Sequence, residues 1–322
     1  MSDELRLGLV GCGRIAERGY VPALRRVRGM RLAALADAAQ SRCVRLDPSL
    51  PSYADAAALI AAGGVDAIVI ATPASSHLAD ARCAAAAGLP TLVEKPPAAT
   101  AAEGAALAGF IPAPWIGFNR RFDPLIAQLR NDVPAGGPVS LSLDLHYASG
   151  SWRPYSVSDA ALLSVGTHLI DLARWVTGGE VRRARAVELD LTRAVFDLEL
   201  TRGPARISCA TDRPRRDRIE VRDGQGRSVA RYDGVGMWSR TRLLMTHLRD
   251  PDLRRLLHPA SRTSLVRLLI RELEAFASAA RGGNASSLAT AADGRAVMAV
   301  VDAVRRSADD GGSWQTIDAT WR

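Results

Sequence analysis

Residues Leu5–Val10 form an alternating apolar run that breaks into Gly11-Cys12-Gly13 and passes at once into the helical pattern RIAERGY. A strand, a tight glycine turn and a helix, with Gly11, Gly13 and Ala16 on the spacing G-x-G-x-x-A, read as the first unit of a dinucleotide-binding βαβ fold. Each small residue serves through the bulk it lacks. Gly11 lets the chain turn sharply, Gly13 lets a pyrophosphate approach bare backbone, and Ala16 lets the helix pack close on the strand. The open N–H groups at the helix start face the phosphates, and Arg14 and Ile15 lie at that edge. A glycine turn without a ligand can share this spacing in an alanine-rich chain. The placement between strand and helix favours the dinucleotide.

The segments that follow repeat the alternation of strand and helix expected of a doubly wound parallel sheet. After a helix over 14–28, RLAALAD (31–37) is a second strand ending in Asp37. An acid about 20 residues past the glycine turn accepts hydrogen bonds from the adenosine ribose and repels a 2′-phosphate. NAD is therefore expected ahead of NADP, with Arg42 close enough to leave NADP open. VDAIVIAT (65–72) is a continuous apolar run of the kind found in buried parallel strands. Thr72-Pro73 breaks it, and an alanine-rich helix opens at Ser75 and Ser76. His77, in the first turn of that helix, is either a cofactor contact or a surface histidine capping the helix. A strand over 89–94 then delivers Glu94-Lys95-Pro96-Pro97 to the same sheet edge, and the prolines stop it there.

Composition singles out one residue in that stretch. The 322-residue chain has 42 Lys and Arg residues, and only one of them, Lys95, is lysine. Arginine supplies charge but does not give up its proton, whereas a lysine amine can titrate and transfer one. Lys95 is thus a catalytic candidate on chemistry alone. The net charge of +8 is spread along the chain without a basic block interleaved with aromatics, so an anionic ligand is favoured over nucleic acid. No apolar h-region precedes Leu5 and no apolar run is long enough to span a bilayer. Cys12, Cys43, Cys83 and Cys209 have neither metal nor disulfide spacing, so a reducing cytoplasmic compartment is expected.

A length of 322 residues suggests two domains. The composition changes near Asp123, which divides a dinucleotide-binding domain (1–122) from a second domain (123–322). Segments 138–147, 187–191, 195–201, 205–210, 219–222 and 228–232 alternate in strand fashion and read as a mainly antiparallel sheet. Residues 237–259 carry several arginines and two histidines among leucines at helical spacing. They are either a solvated packing helix or a lid for a phosphate-bearing substrate. Helices near 264–281 and 286–306 complete the chain.

Taken together, GCGRIA, ATPASSH, EKP, GFNRRFDP and SVGTHLIDLARWVTG resemble, in order and interval, the motifs of the Gfo/Idh/MocA family of nicotinamide-dependent oxidoreductases. The resemblance spans essentially the whole chain. It implies a Rossmann domain joined to an α+β domain with a large sheet that covers the crevice and pairs subunits into a homodimer or homotetramer. The last segment of the chain packs back on the Rossmann domain in many members. Cofactor contacts are implied at Gly11, Gly13, Arg14, Ile15, Asp37, Thr72, Pro73, His77, Glu94, Lys95 and Arg120. Lys95 and His168 are implied as the catalytic pair flanking the substrate carbon, with Trp152, Arg153, Tyr155 and Ser164 as further substrate contacts. The chain departs from the family at Ser164, where members commonly carry an aspartate four residues before the histidine. Asp159 or Tyr155 replaces that acid, or Lys95 carries the proton work, or activity is weakened. The implied function is NAD(P)-dependent oxidation or ketoreduction at a ring carbon of a sugar, aminosugar, cyclitol or nucleotide-linked sugar, without metal, membrane or nucleic acid. The alternatives are a hydrolase or epimerase that oxidises its substrate transiently, and a catalytically silent dinucleotide sensor.

Overall fold

The structure, a computed structural model, describes residues 4–148, 161–234 and 264–317. It divides into two compact units, Met1–Phe122 with Leu256–Arg295, and Asp123–Arg255 with Ala296–Arg322.

The first unit is built on β1 (Leu5–Val10), where Leu7 and Leu9 are wholly buried. The chain then turns through a π-helical segment (Ala16–Tyr20) into α1 (Val21–Leu24), so this helix stops earlier than its apolar pattern suggests. Next come β2 (Met30–Ala36), α2 (Gln40–Leu46), β3 (Ser52–Tyr53), α3 (Ala56–Ala62), β4 (Ala67–Ile70), α4 (Ala74–Ala86), β5 (Thr91–Glu94), α5 (Ala101–Ala108) and β6 (Trp115–Gly117). Every residue of β4 and β5 is buried, as expected of parallel strands covered on both faces. α5 begins with a capping box in which Thr100 and Glu103 bond each other's backbone N–H, a cap typically worth about 1 kcal/mol. The strand order β3-β2-β1-β4-β5-β6 is that of a doubly wound sheet whose order reverses beside β1. A late strand, β13 (Ala289–Thr290), adds antiparallel to β6.

The second unit carries a seven-stranded sheet in the order β12-β11-β7-β10-β9-β8-β14. Its strands are β7 (Val139–Ala148), β8 (Val181–Leu189), β9 (Arg193–Leu200), β10 (Gly203–Ala210), β11 (Asp212–Asp223), β12 (Ser228–Asp233) and β14 (Gln315–Thr316). Among the described residues of this sheet, only β7 and β10 pair in parallel. β8 starts at Val181 rather than near 187, and β11 at Asp212 rather than 219, because exposed arginines interrupt their apolar alternation. Many of these arginines are paired across strands: Arg185 and Arg206 both meet Asp197, Arg183 meets Glu199, and Arg216 meets Asp144. Part of the chain's positive charge is thus compensated on the sheet itself.

α6 (Pro124–Asp132) and a π-helical turn (Leu162–Gly166) leading into α7 (Thr167–Thr177) also belong to this unit. Near the end of the described chain come α8 (Ser264–Ala280), in the first unit, and α9 (Ala291–Asp309), within which the division between the units falls. Among the described residues no helix is long and apolar enough to cross a membrane.

Candidate active site

The glycine turn leaves β1 at Gly11, whose φ of +94° is a conformation that a side chain strains. A Cβ there would also lie 2.5 Å from the Ala71 carbonyl carbon, so the turn after β1 presses directly on the end of β4. Gly13 is the opposite case, since a Cβ on it meets nothing within 4 Å. Bare backbone therefore faces open space where the helix begins, as the approach of a pyrophosphate requires. Ala16 is wholly buried beneath that turn, whereas Arg14 and Ile15 keep part of their surface.

Asp37 follows β2 and closes the cradle. Its Oδ2 accepts the Cys12 N–H at 2.8 Å, its Oδ1 accepts the Ala39 N–H at 2.8 Å, and Arg42 Nη1 lies 3.6 Å away. A carboxylate offers about four lone-pair positions, so two remain for ribose hydroxyls. These residues fit a dinucleotide.

Past β4, the Thr72 hydroxyl donates to Asp80 at 2.7 Å, and Pro73 N-caps α4. His77 is 1 % exposed, which overturns the surface-histidine alternative. Its Nε2 lies 2.8 Å from the Thr72 carbonyl and its Nδ1 3.3 Å from the Pro97 carbonyl. Burial lowers its proton affinity, and the ring ties the loop after β4 to the loop after β5.

That second loop holds the lysine. Glu94, 4 % exposed at the end of β5, accepts the Tyr20 hydroxyl at Oε1 (2.8 Å) and the Lys95 backbone N–H at Oε2 (2.9 Å). Burial raises the Glu94 carboxyl, and the Lys95 charge and the Tyr20 hydroxyl pull it back down. Burial lowers the Lys95 amine, and the Glu94 charge opposes that. An amine placed this way titrates below the usual lysine range, as a proton-transfer group should. Arg120 lies on a 3-10 turn, Asn119–Phe122, in the same unit.

In the second unit, Ser164 and His168 lie one turn apart, on the π-helical turn and the first turn of α7. π-helical turns recur at functional sites because they rotate the side chains that follow. His168 is 8 % exposed. The Ser164 hydroxyl shares a hydrogen bond with the Tyr147 hydroxyl, which opposes the upward shift that burial gives the Tyr147 phenol. Tyr147 continues the row Val139, Leu141 and Leu143 on one face of β7, the strand against which α7 packs. Arg174, on α7, directs Nε and Nη2 to Glu180, both at 2.9 Å. Trp152, Arg153, Tyr155 and Asp159 lie outside the described residues, as does the basic segment 237–259.

Sequence reasoning passed over Tyr147, Tyr20 and Glu272. Only Glu272 left a trace, as one acid within the apolar stripe Leu265, Leu269, Leu273 and Phe276 of α8. Nothing local marks the two tyrosines, whose partners are distant in sequence.

A doubly wound sheet with a glycine cradle, an acid at the end of β2 and a half-buried lysine after β5 has the arrangement of a dinucleotide-binding domain. Residues 5–110 match the family described as "Oxidoreductase family, NAD-binding Rossmann fold", GFO_IDH_MocA. The match covers the dinucleotide-binding part of the first unit.

Among relatives, it is 36 % identical to the rhizopine catabolism protein MocA of Rhizobium meliloti over 55 % of this chain and 58 % of that one. It is 31 % identical to inositol 2-dehydrogenase 2 of Saccharopolyspora erythraea over 56 % of each. The chain thus spans a little over half the length of these relatives. A scyllo-inositol dehydrogenase from Lactobacillus casei, solved with NAD(H) and scyllo-inositol, superposes with a TM-score of 0.78 at 17 % identity over 98 % of this chain and 99 % of that one. A probable dehydrogenase from Thermotoga maritima gives 0.75 at 21 % identity over 97 % and 99 %. At these identities the likeness is one of fold.

Proposed function

We propose that the protein is an NAD(H)-dependent dehydrogenase that interconverts a secondary alcohol and a ketone on a cyclitol or sugar ring. The observation that carries this reading is the sole lysine, Lys95, set on the buried Glu94 beside the glycine cradle. NAD, when bound, supplies the hydride acceptor or donor. Gly11, Gly13, Arg14, Ile15, Asp37, Thr72, Pro73, His77, Glu94 and Arg120 form or support its cradle. Lys95 takes the hydroxyl proton during oxidation and returns it during reduction. His168, Ser164 and Tyr147 orient substrate hydroxyls, joined in this reading by Trp152, Arg153 and Tyr155. Inositol dehydrogenases among the relatives and fold neighbours support the cyclitol. The reading extends to a cytoplasmic protein, on the strength of four free thiols, and to pairing of copies through the second-unit sheet.

Reduction of NAD+ in the presence of myo-inositol, scyllo-inositol, aldoses, aminosugars and nucleotide-linked sugars tests the proposal. At least one cyclitol or sugar should support turnover that depends on added NAD+. Ser164 in place of an acid favours a second reading, a silent dinucleotide-binding sensor. That reading gains if NADH binds tightly and nothing in the panel turns over.

Cofactor choice follows from Asp37. Titration of protein fluorescence should show NAD(H) binding more tightly than NADP(H). Asp37→Ala should narrow the gap by roughly tenfold or more, since a like charge placed against the 2′-phosphate costs several kcal/mol. Tighter binding of NADP(H) by the unaltered protein would contradict the assignment.

A further inference from the structure

Two buried carboxyls, Glu94 and Glu272, lie within electrostatic reach of each other, and they are not equivalent. Glu94 has a hydroxyl donor, a backbone N–H donor and the Lys95 charge to stabilise an anion. Glu272, on α8, is 0 % exposed, and neither of its carboxyl oxygens has a hydrogen-bond partner among the described residues. Burial raises the Glu272 carboxyl far above the usual range, and the Glu94 charge raises it further. Two acids within electrostatic reach in an apolar interior hold one negative charge more readily than two.

On α8 itself, Arg267 and Arg271 are half-buried and Glu274 is exposed. Glu17 and Arg18, on the π-helical turn that bears Tyr20, are exposed. Arg120 and Arg121 lie on the 3-10 turn packed against α8. Arg121 faces Asp293 at 3.3 Å and the Leu288 carbonyl at 3.5 Å.

We propose that Tyr20 is a positioning residue whose hydroxyl fixes the single negative charge of the Glu94–Glu272 pair on Glu94, where it faces Lys95. The hydroxyl donates to Glu94 across 2.8 Å inside the core, from a tyrosine that is itself wholly buried. With that donor in place Glu94 holds the charge and Glu272 keeps its proton. Without it the charge spreads toward Glu272, and Lys95 loses part of its counter-charge. The helix that opens at the cofactor turn thereby sets the proton affinity of the lysine. This rests on reading Lys95 as the proton-transfer group, but its test requires neither substrate nor turnover.

The chain has one lysine, so protein labelled with ε-13C-lysine gives one lysine signal, and its chemical shift against pH reports Lys95 directly. Tyr20→Phe keeps the ring and removes only the donor. Its Lys95 midpoint should fall by about one pH unit, a roughly tenfold loss of proton affinity. Glu272→Gln alone should leave the midpoint in place, because the residue it replaces is already neutral. In Tyr20→Phe/Glu272→Gln the charge has nowhere else to go, and most of the fall should be recovered. Glu94→Gln, which removes the charge itself, should lower the midpoint at least as far as Tyr20→Phe. A Tyr20→Phe midpoint within a few tenths of the parent, or above it, overturns the proposal, as does an unchanged midpoint in Glu94→Gln. If a panel of alcohols fails while these shifts appear, the dehydrogenase reading fails and the charge arrangement stands.

Discussion

Lys95→Arg should lower turnover by roughly 10²–10⁴-fold while leaving NADH affinity within a few-fold of the parent. Arginine preserves the positive charge opposite Glu94 but cannot cycle a proton near neutral pH. The substitution therefore separates charge from proton transfer. The parent's pH dependence provides the companion measurement. A base must be deprotonated to accept the hydroxyl proton, so kcat/KM for alcohol oxidation should rise with pH along a limb set by Lys95. Because burial lowers that amine, the limb should lie below the ordinary lysine range, and it should vanish in Lys95→Arg. An arginine variant turning over within a few-fold of the parent would reduce Lys95 to a positioning charge. The measurement is steady-state turnover on the best substrate of the panel, with NADH affinity read separately by fluorescence.

How much of this was legible in the sequence depends on the reach of each signal. The cradle was readable because its parts are local: a glycine needing a positive φ, an open position two residues on, and a small residue where helix meets strand. The parallel sheet was readable because its central strands, such as Ala67–Ile70, are apolar on both faces and cannot be taken for half-exposed strands. The edges of the second sheet were less so. Arg182, Arg183 and Arg185 interrupt the buried residues of β8 and hide its start, since the ion pairs of Arg183 and Arg185 lie across strands and not along the chain.

In the site, motif spacing marked Lys95 and His168 but could not show what surrounds them. Tyr20 reaches Glu94 across 74 positions, and Ser164 meets Tyr147 on a different element. Such pairs exist only once the sheet has formed. The Glu272 acid was visible as an interruption in an apolar stripe, yet a single charge on a helix face ordinarily rotates to solvent. Its complete burial is a tertiary fact.

The second large effect concerns His168, and its size depends on Ser164. A histidine acting as a full acid and base gains from a neighbouring carboxylate that stabilises its charged form, and one helical turn away there is instead a serine bonded to a tyrosine. Two hydroxyls can orient a substrate hydroxyl but bring no negative charge. His168→Asn keeps a hydrogen-bonding group and removes titration. It should cost on the order of 10–10²-fold in turnover, less than Lys95→Arg, because proton transfer then rests on the lysine. Ser164→Asp should fold, since Ser164 is only partly buried and the Tyr147 hydroxyl can donate to the new carboxylate. It should also add an alkaline shift to whichever limb of the rate profile belongs to His168, because a nearby anion raises the pH at which an imidazolium loses its proton. Turnover of His168→Asn, Ser164→Asp and Lys95→Arg on one substrate across pH decides the matter. A loss in His168→Asn equal to that in Lys95→Arg would make the histidine the principal acid and base, and its charged partner would then have to be sought elsewhere, with Asp159 the first acid to replace.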